Sequence, residues 1–301
     1  MKICFLTQTA HDISDYYKSF FQDRDLFFVT FKAPNSNALG FFPKSTWSDG
    51  RNKIWDLVKD KYDYYVFIDD DLLFYNFSPR LSASPLLAYL YNKYYTKNLA
   101  ACFQQAKPSY FLSRLEQYLK DYKPEVLSVA QVDADFHYNI ESLAMRKNSF
   151  VRRMAHFDAQ FTVLSNYAAN KLLPYDTKIS GWWSSQIPVY LYTYNVFASK
   201  AISIVDLGVA NSNHVGAYVV NYDGVQDCKR MIAEISAATG RDYSALSGFN
   251  DNEAVNLHYA EESMIKNIIP RRNNKENYKE NFKKTLSGLE KLLHDNLVIE
   301  E

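Results

Sequence analysis

The chain is poor in the features that announce a partner. Basic and acidic residues balance at 34 against 34 over 301 positions, so the overall field favours neither nucleic acid nor an acidic polymer. There are only three cysteines, Cys4, Cys102 and Cys228, widely spaced and without a CxxC pair. Zinc and redox readings are therefore weak, and a reducing cytoplasm is the expected setting. No apolar stretch approaches the ~18–20 residues that a membrane helix needs. The short run Ile3–Leu6, closed by Thr7 and Gln8, is too brief for a leader peptide and reads as a first strand. A soluble or peripheral protein is expected.

Aromatic residues are abundant instead: 24 Tyr and 20 Phe, 16% of the chain with Trp included. Flat rings with polar edges suit sugars, bases and membrane interfaces, although an AT-rich coding bias would give the same excess.

Strand-like and helix-like runs alternate through the first half. Lys2–Thr7, Leu26–Phe31 and Tyr64–Ile68 read as strands, with Asp12 capping a helix through Phe21 and Ser48 or Asp49 capping one over Arg51–Lys59. That alternation predicts βαβ units and a mixed, mainly parallel α/β sheet flanked by helices. Helices are expected over Pro85–Tyr95, Pro108–Tyr122 and Ala168–Leu173, the last stopped by Pro174; strands are expected over Glu125–Val132, Phe157–Leu164 and Ile202–Leu207. Trp182–Val189, Val225–Ala238 and Glu253–Ile268 also read as helical, and a last helix carries Phe282, Leu286, Leu289 and Leu293 on one face. The expected division is a catalytic domain over 1–220, with halves near 1–135 and 136–220, and a C-terminal helical region over 221–301.

The stretch Tyr64-Tyr65-Val66-Phe67-Ile68-Asp69-Asp70-Asp71 carries the functional reading. An apolar run suited to a buried strand ends in three carboxylates, which repel one another and are costly to bury unpaired. They are expected at the strand's carboxyl end, facing a crevice and a hard divalent cation, Mg²⁺ or Mn²⁺. At a strand end alternate side chains point the same way, so Asp69 and Asp71 are expected to reach one ion together while Asp70 points elsewhere; a solvated turn is the plainer alternative. Asp133-Ala134-Asp135 has the same form and ranks second. Arg51 could pair with Asp69 or reach a phosphate, and Asp49 could hold a base or ribose; the plain alternatives are an N-cap at Asp49 and a surface Arg51.

Further along, Asp158 precedes a strand, and Gly181, Trp182, Trp183 and Gln186 form an aromatic, polar helix start suited to sugar rings. His214, in the loop Asn211–Gly216, is a candidate third metal ligand.

Together these pieces resemble the GT-A class of nucleotide-sugar-dependent glycosyltransferases over roughly Lys2–Gly216. The resemblance implies that Asp71 and His214 hold the metal and that Asp69 serves a ribose or the metal's water. It places Asp49, Arg51, Asp69 and Asp70 on the nucleotide-sugar side, and Gly181-Trp182 beside the transferred sugar. A UDP-sugar donor and a glycan or lipid-linked glycan acceptor follow from it, as in bacterial lipopolysaccharide or capsule synthesis. Inverting members carry an acid at the helix start after the glycine loop, where this chain has Trp183-Ser184-Ser185-Gln186. Either Asp158 or Asp176 supplies the general base, or configuration is retained.

Arg271, Arg272, Lys275, Lys279, Lys283 and Lys284 could dock the last helix on an anionic inner membrane face. An ordinary packed helix or a homodimer contact fits them equally. Two alternatives stand beside the transferase. A haloacid-dehalogenase-like phosphohydrolase is disfavoured because Leu72 and Leu73 follow the acids. A non-catalytic carbohydrate-binding protein would show no metal-dependent UDP binding. A sugar nucleotidyltransferase would need glycines after the first strand, where Thr7-Gln8-Thr9-Ala10 has none.

Overall fold

In the computed structural model, residues 1–77, 103–132, 151–153, 159–175 and 200–212 are described, with positions 177, 197, 230, 233 and 237. The chain divides into two compact units, Met1–Tyr175 with Phe197–Val219, and Asp176–Val196 with Val220–Glu301. Every element below belongs to the first unit. In the second, positions 230, 233 and 237 are helical, within the span expected to be a helix. The expected helices over 85–95, 182–189 and 253–268, and the last helix, lie outside the described residues.

The first unit is an α/β structure built on one mixed sheet. In chain order it runs β1 (Ile3–Thr9), α1 (Asp15–Phe20), β2 (Asp25–Thr30), β3 (Gly40–Phe41), α2 (Trp47–Val58), β4 (Tyr64–Ile68) and β5 (Leu72–Phe77). Then come β6 (Phe103–Gln105), α3 (Pro108–Tyr122), β7 (Val126–Gln131), β8 (Val151–Arg153), β9 (Phe161–Ser165), α4 (Asn166–Leu172) and β10 (Ala201–Asn211). Spatial order is β3-β2-β1-β4-β9-β7-β10-β5-β6, with β8 paired to β10.

Parallel pairing joins β1 to β2, β2 to β3, β1 to β4 and β7 to β10. Antiparallel pairing joins β4 and β7 to β9, β5 and β8 to β10, and β5 to β6. The mainly parallel sheet expected from the sequence is therefore continuous only over β3-β2-β1-β4 and recurs in the single pair β7–β10, because β9 inserts in reverse between β4 and β7. One consequence places the site: β1, β4, β7 and β10 share a direction, so all four carboxyl ends open at one end of the sheet. The order also reverses between β1 and β4, the switch point at which open α/β sheets form a ligand crevice.

Helices cover both faces. On one, α1 and α3 bury Tyr17, Phe20, Phe111 and Leu115 against Phe5, Ile68, Phe74 and Phe161. Phe74 is the hub, stacked on Phe20 at 4.3 Å between ring centroids and edge-on to Phe111 at 5.0 Å. Truncating such a ring to alanine costs about 3–5 kcal/mol. Among the described residues, much of the aromatic excess is thus core packing. On the other face the Tyr65 hydroxyl lies 3.4 Å from the Val58 carbonyl of α2 and 3.4 Å from Asn166 Oδ1 of α4.

The caps differ from those read in the sequence. Ser14, not Asp12, caps α1, accepting the Tyr17 amide at 3.2 Å; Asp12 instead binds the Ile13 amide and Lys18. Thr46 caps α2, and Asp49 completes a capping box with it. No helix among the described residues is long and apolar enough to cross a membrane.

Candidate functional site

β4 is buried along its whole length, and its run of β-branched and aromatic residues stops at Ile68. Asp69, Asp70 and Asp71 form the turn into β5, directly at the switch point. Because they sit in a turn and not in a continuing strand, the alternation expected to pair Asp69 with Asp71 does not apply. Asp69 faces α2, and Asp70 lies beside the Thr9 hydroxyl at the end of β1.

The turn is fastened from several sides. The Asp69 amide donates to the Gln160 carbonyl at 3.0 Å, and the Ser212 amide at the end of β10 donates to the Asp71 carbonyl at 2.8 Å. The buried Tyr17 hydroxyl donates to the Asp69 carbonyl at 2.5 Å and accepts the Leu72 amide at 3.0 Å. Its neighbour Tyr16 accepts the Phe74 amide at 3.3 Å.

Arg51 is not a surface residue. Its side chain is 3% exposed, and Nη2 lies 2.7 Å from Asp69 Oδ1 and 3.2 Å from the Ala159 carbonyl. The guanidinium stacks over Trp47 at 4.2 Å, and the Trp47 indole N–H reaches the same Asp69 oxygen at 3.4 Å. Holding an arginine there requires α2 to approach β1 closely. At Gly50 it does: a β-carbon would sit 1.5 Å from Gln8 Oε1. Gln8 is 6% exposed, and both its amide nitrogen and oxygen lack a partner among the described residues.

Burial pushes the Asp70 carboxyl above the usual carboxylate range; the Thr9 hydroxyl works against that rise, and the charge of Asp69 adds to it. The turn thus carries three consecutive acids, of which Asp69 is paired with Arg51. Asp69 keeps about a quarter of its side chain exposed, at 28%. Among the described residues, no group of three His, Cys, Asp or Glu converges as a metal cage. The donors nevertheless suit a hard cation, since all are carboxylate oxygens beside a buried hydroxyl.

The expected nucleotide-side residues are partly gathered. Arg51, Asp69 and Asp70 lie together. Asp49 Oδ2 is taken by the Thr46 amide at 3.0 Å and hydroxyl at 2.8 Å, so the acid serves the helix start from its third position and is not the N-cap that the sequence alternative expects. Asp133, Asp135, Asp158, Asp176, Gly181, Trp182, Trp183, Gln186 and His214 lie outside the described residues, as does the basic segment 271–284. Sequence reasoning missed Tyr17, Trp47 and Thr9. Trp47 was within reach of it, since Thr46-Trp47-Ser48-Asp49 is a capping-box pattern that puts the indole on the first turn.

Comparison with known proteins adds little. No protein-family model and no curated protein matches the chain. The chain is similar to the solved structure "A197 from STIV" at 10% identity and a TM-score of 0.37, over 74% of this chain and 100% of that one. A likeness of that size carries no assignment.

Proposed function

We propose that the chain is a metal-dependent glycosyltransferase of GT-A type, moving a hexose from a UDP-sugar to a glycan or lipid-linked glycan hydroxyl. One observation carries the reading: the turn of three acids, Asp69–Asp71, stands at the carboxyl end of β4 at the sheet's switch point, with Arg51 on Asp69. The described strand ends lead there directly. The Asp71 carbonyl is held by the Ser212 amide at the end of β10, two positions before His214 in the sequence. The carbonyl of Ala159, the residue after Asp158 in the sequence, accepts from Arg51.

In this reading Asp69, Asp71 and His214 hold Mn²⁺ or Mg²⁺, which when bound neutralises the diphosphate of the donor. Asp70 and Thr9 line the floor beside it. Arg51 orients Asp69, and Trp47 stacks on the guanidinium and reaches the same carboxylate oxygen. Asp158 is the candidate base for the acceptor hydroxyl. Trp182, Trp183 and Gln186 are the candidate sugar contacts.

The test is calorimetric titration of the full chain with UDP, in the presence and absence of Mn²⁺. Micromolar-class binding that needs the ion, and that Asp71→Ala removes, is the expected result. Binding of UDP indifferent to the ion, or none under either condition, sinks the reading.

A further inference from the structure

The acidic turn needs something to hold its shape, and the fold supplies it from a distant helix. In an ordinary four-residue turn the carbonyl of the first residue accepts the amide of the fourth directly. Here those two groups are the Asp69 carbonyl and the Leu72 amide, and the Tyr17 hydroxyl takes both, at 2.5 Å and 3.0 Å. Tyr17 is 1% exposed, wedged among Phe21, Phe74 and Tyr16 with ring centroids 5.7, 5.9 and 6.1 Å away. The ring therefore cannot retreat, and its oxygen fixes how far the turn stands open. The Gln160 carbonyl and the Ser212 amide hold the Asp69 amide and the Asp71 carbonyl, so the turn is tied to the frame on both sides of Asp70.

Resting on the glycosyltransferase reading above, we propose that Tyr17 is a positioning residue for the cation. Its hydroxyl sets the spacing of the Asp69, Asp70 and Asp71 carboxylates by bridging the turn that carries them. Without the hydroxyl, the Asp69 carbonyl and the Leu72 amide are free to bond each other, which narrows the turn and re-aims the acids. Support shells of this kind tune metal affinity without touching the ion.

The experiment compares the wild-type chain with Tyr17→Phe and Tyr16→Phe, reading Mn²⁺ affinity by electron paramagnetic resonance and folding by thermal melt. Tyr16→Phe is the control: it removes a neighbouring hydroxyl that accepts a β5 amide but does not span the turn. Tyr17→Phe should weaken Mn²⁺ binding by roughly tenfold to a hundredfold. Tyr16→Phe should melt a few degrees lower, as Tyr17→Phe does, with Mn²⁺ affinity unchanged. If Tyr17→Phe does not fold, 4-aminophenylalanine at position 17 replaces it. That side chain donates to Asp69 but accepts poorly from Leu72, so an intermediate affinity is expected.

Equal Mn²⁺ affinity for wild type and the position-17 variant overturns the inference and leaves the functional reading standing. So does an equal loss in Tyr16→Phe, which would mark a general effect of stability. A wild-type chain that binds no Mn²⁺ overturns both.

Discussion

Two places in the first unit join a carboxylate, an arginine and a tyrosine, and they are built to opposite ends. At Asp206, on β10, the acid is 5% exposed; Oδ2 accepts Arg114 Nε at 3.0 Å and the Tyr118 hydroxyl at 2.7 Å. Arg114 also binds the Tyr118 oxygen at 2.7 Å, closing a triangle that ties α3 to the irregular stretch of β10 between Ile204 and Gly208. One acid meets one base, so the charges balance, while Asp206 Oδ1 has no hydrogen-bond partner among the described residues. At the switch point Arg51 binds the first of three consecutive acids, and the tyrosine binds backbone instead of carboxylate. Balanced charge marks a staple; surplus charge of one sign, held on a rigid turn at a crevice, marks a site.

Substitutions can break that contrast. Asp71→Ala should abolish sugar transfer, with a loss of at least about a hundredfold on removing a metal-site group. Its melting temperature should stay near wild type, and radiolabelled transfer alongside a melt checks both. Arg114→Ala should do the reverse. Leaving Asp206 buried without its cation costs about 3 kcal/mol in urea denaturation, while Mn²⁺ and UDP binding hold. If Arg114→Ala impaired UDP binding as severely as Asp71→Ala, the distinction between staple and site would fail. Tyr118→Phe should cost about 1–2 kcal/mol by removing one arm of the triangle.

Alkaline pH sharpens the comparison differently, because both places depend on a protonated phenol. Burial pushes Tyr17 and Tyr118 upward, with the nearby acids adding to the rise, and burial pushes Tyr62 and Tyr64 up to about 12. A phenol whose folded value exceeds its unfolded value of about 10 stabilises the fold fully below that pH. The contribution is lost as pH rises from there towards the folded value. Urea midpoints should therefore be flat from pH 7 to 9 and fall steeply beyond about 10. A flat profile to pH 12 would contradict the buried phenols. The smallest effect belongs to Thr46→Ala, which removes the α2 cap for about 1 kcal/mol.

Much of this was legible in the sequence where the cause is local. β4 and α3 have the bounds that their apolar spacing implies, and the acids fall where the strand's burial must end. β5 was overlooked although Leu72–Phe77 alternates between buried and half-buried positions; attention to the acids masked the period-two pattern behind them. The reversed entry of β9 has no local signature, so the sheet's parallel share was overstated. The Arg51–Asp69 pair could be anticipated because the helix immediately precedes the strand. Tyr17's bond to Asp69 spans 52 positions, and Gln160's carbonyl reaches the same turn from 91 positions away on the other side. Such contacts exist only once the sheet is assembled.

The near-contact between Gly50 and Gln8 has a consequence for how this protein can change. The separation of α2 from β1 is gauged by a missing methyl group, and the guanidinium one residue along inherits that gauge. Any larger residue at 50 must either swing a buried amide aside or lift the helix, and lifting it draws Arg51 off the acid it orients. Tolerance at this position therefore reports on the charge arrangement at the acidic turn.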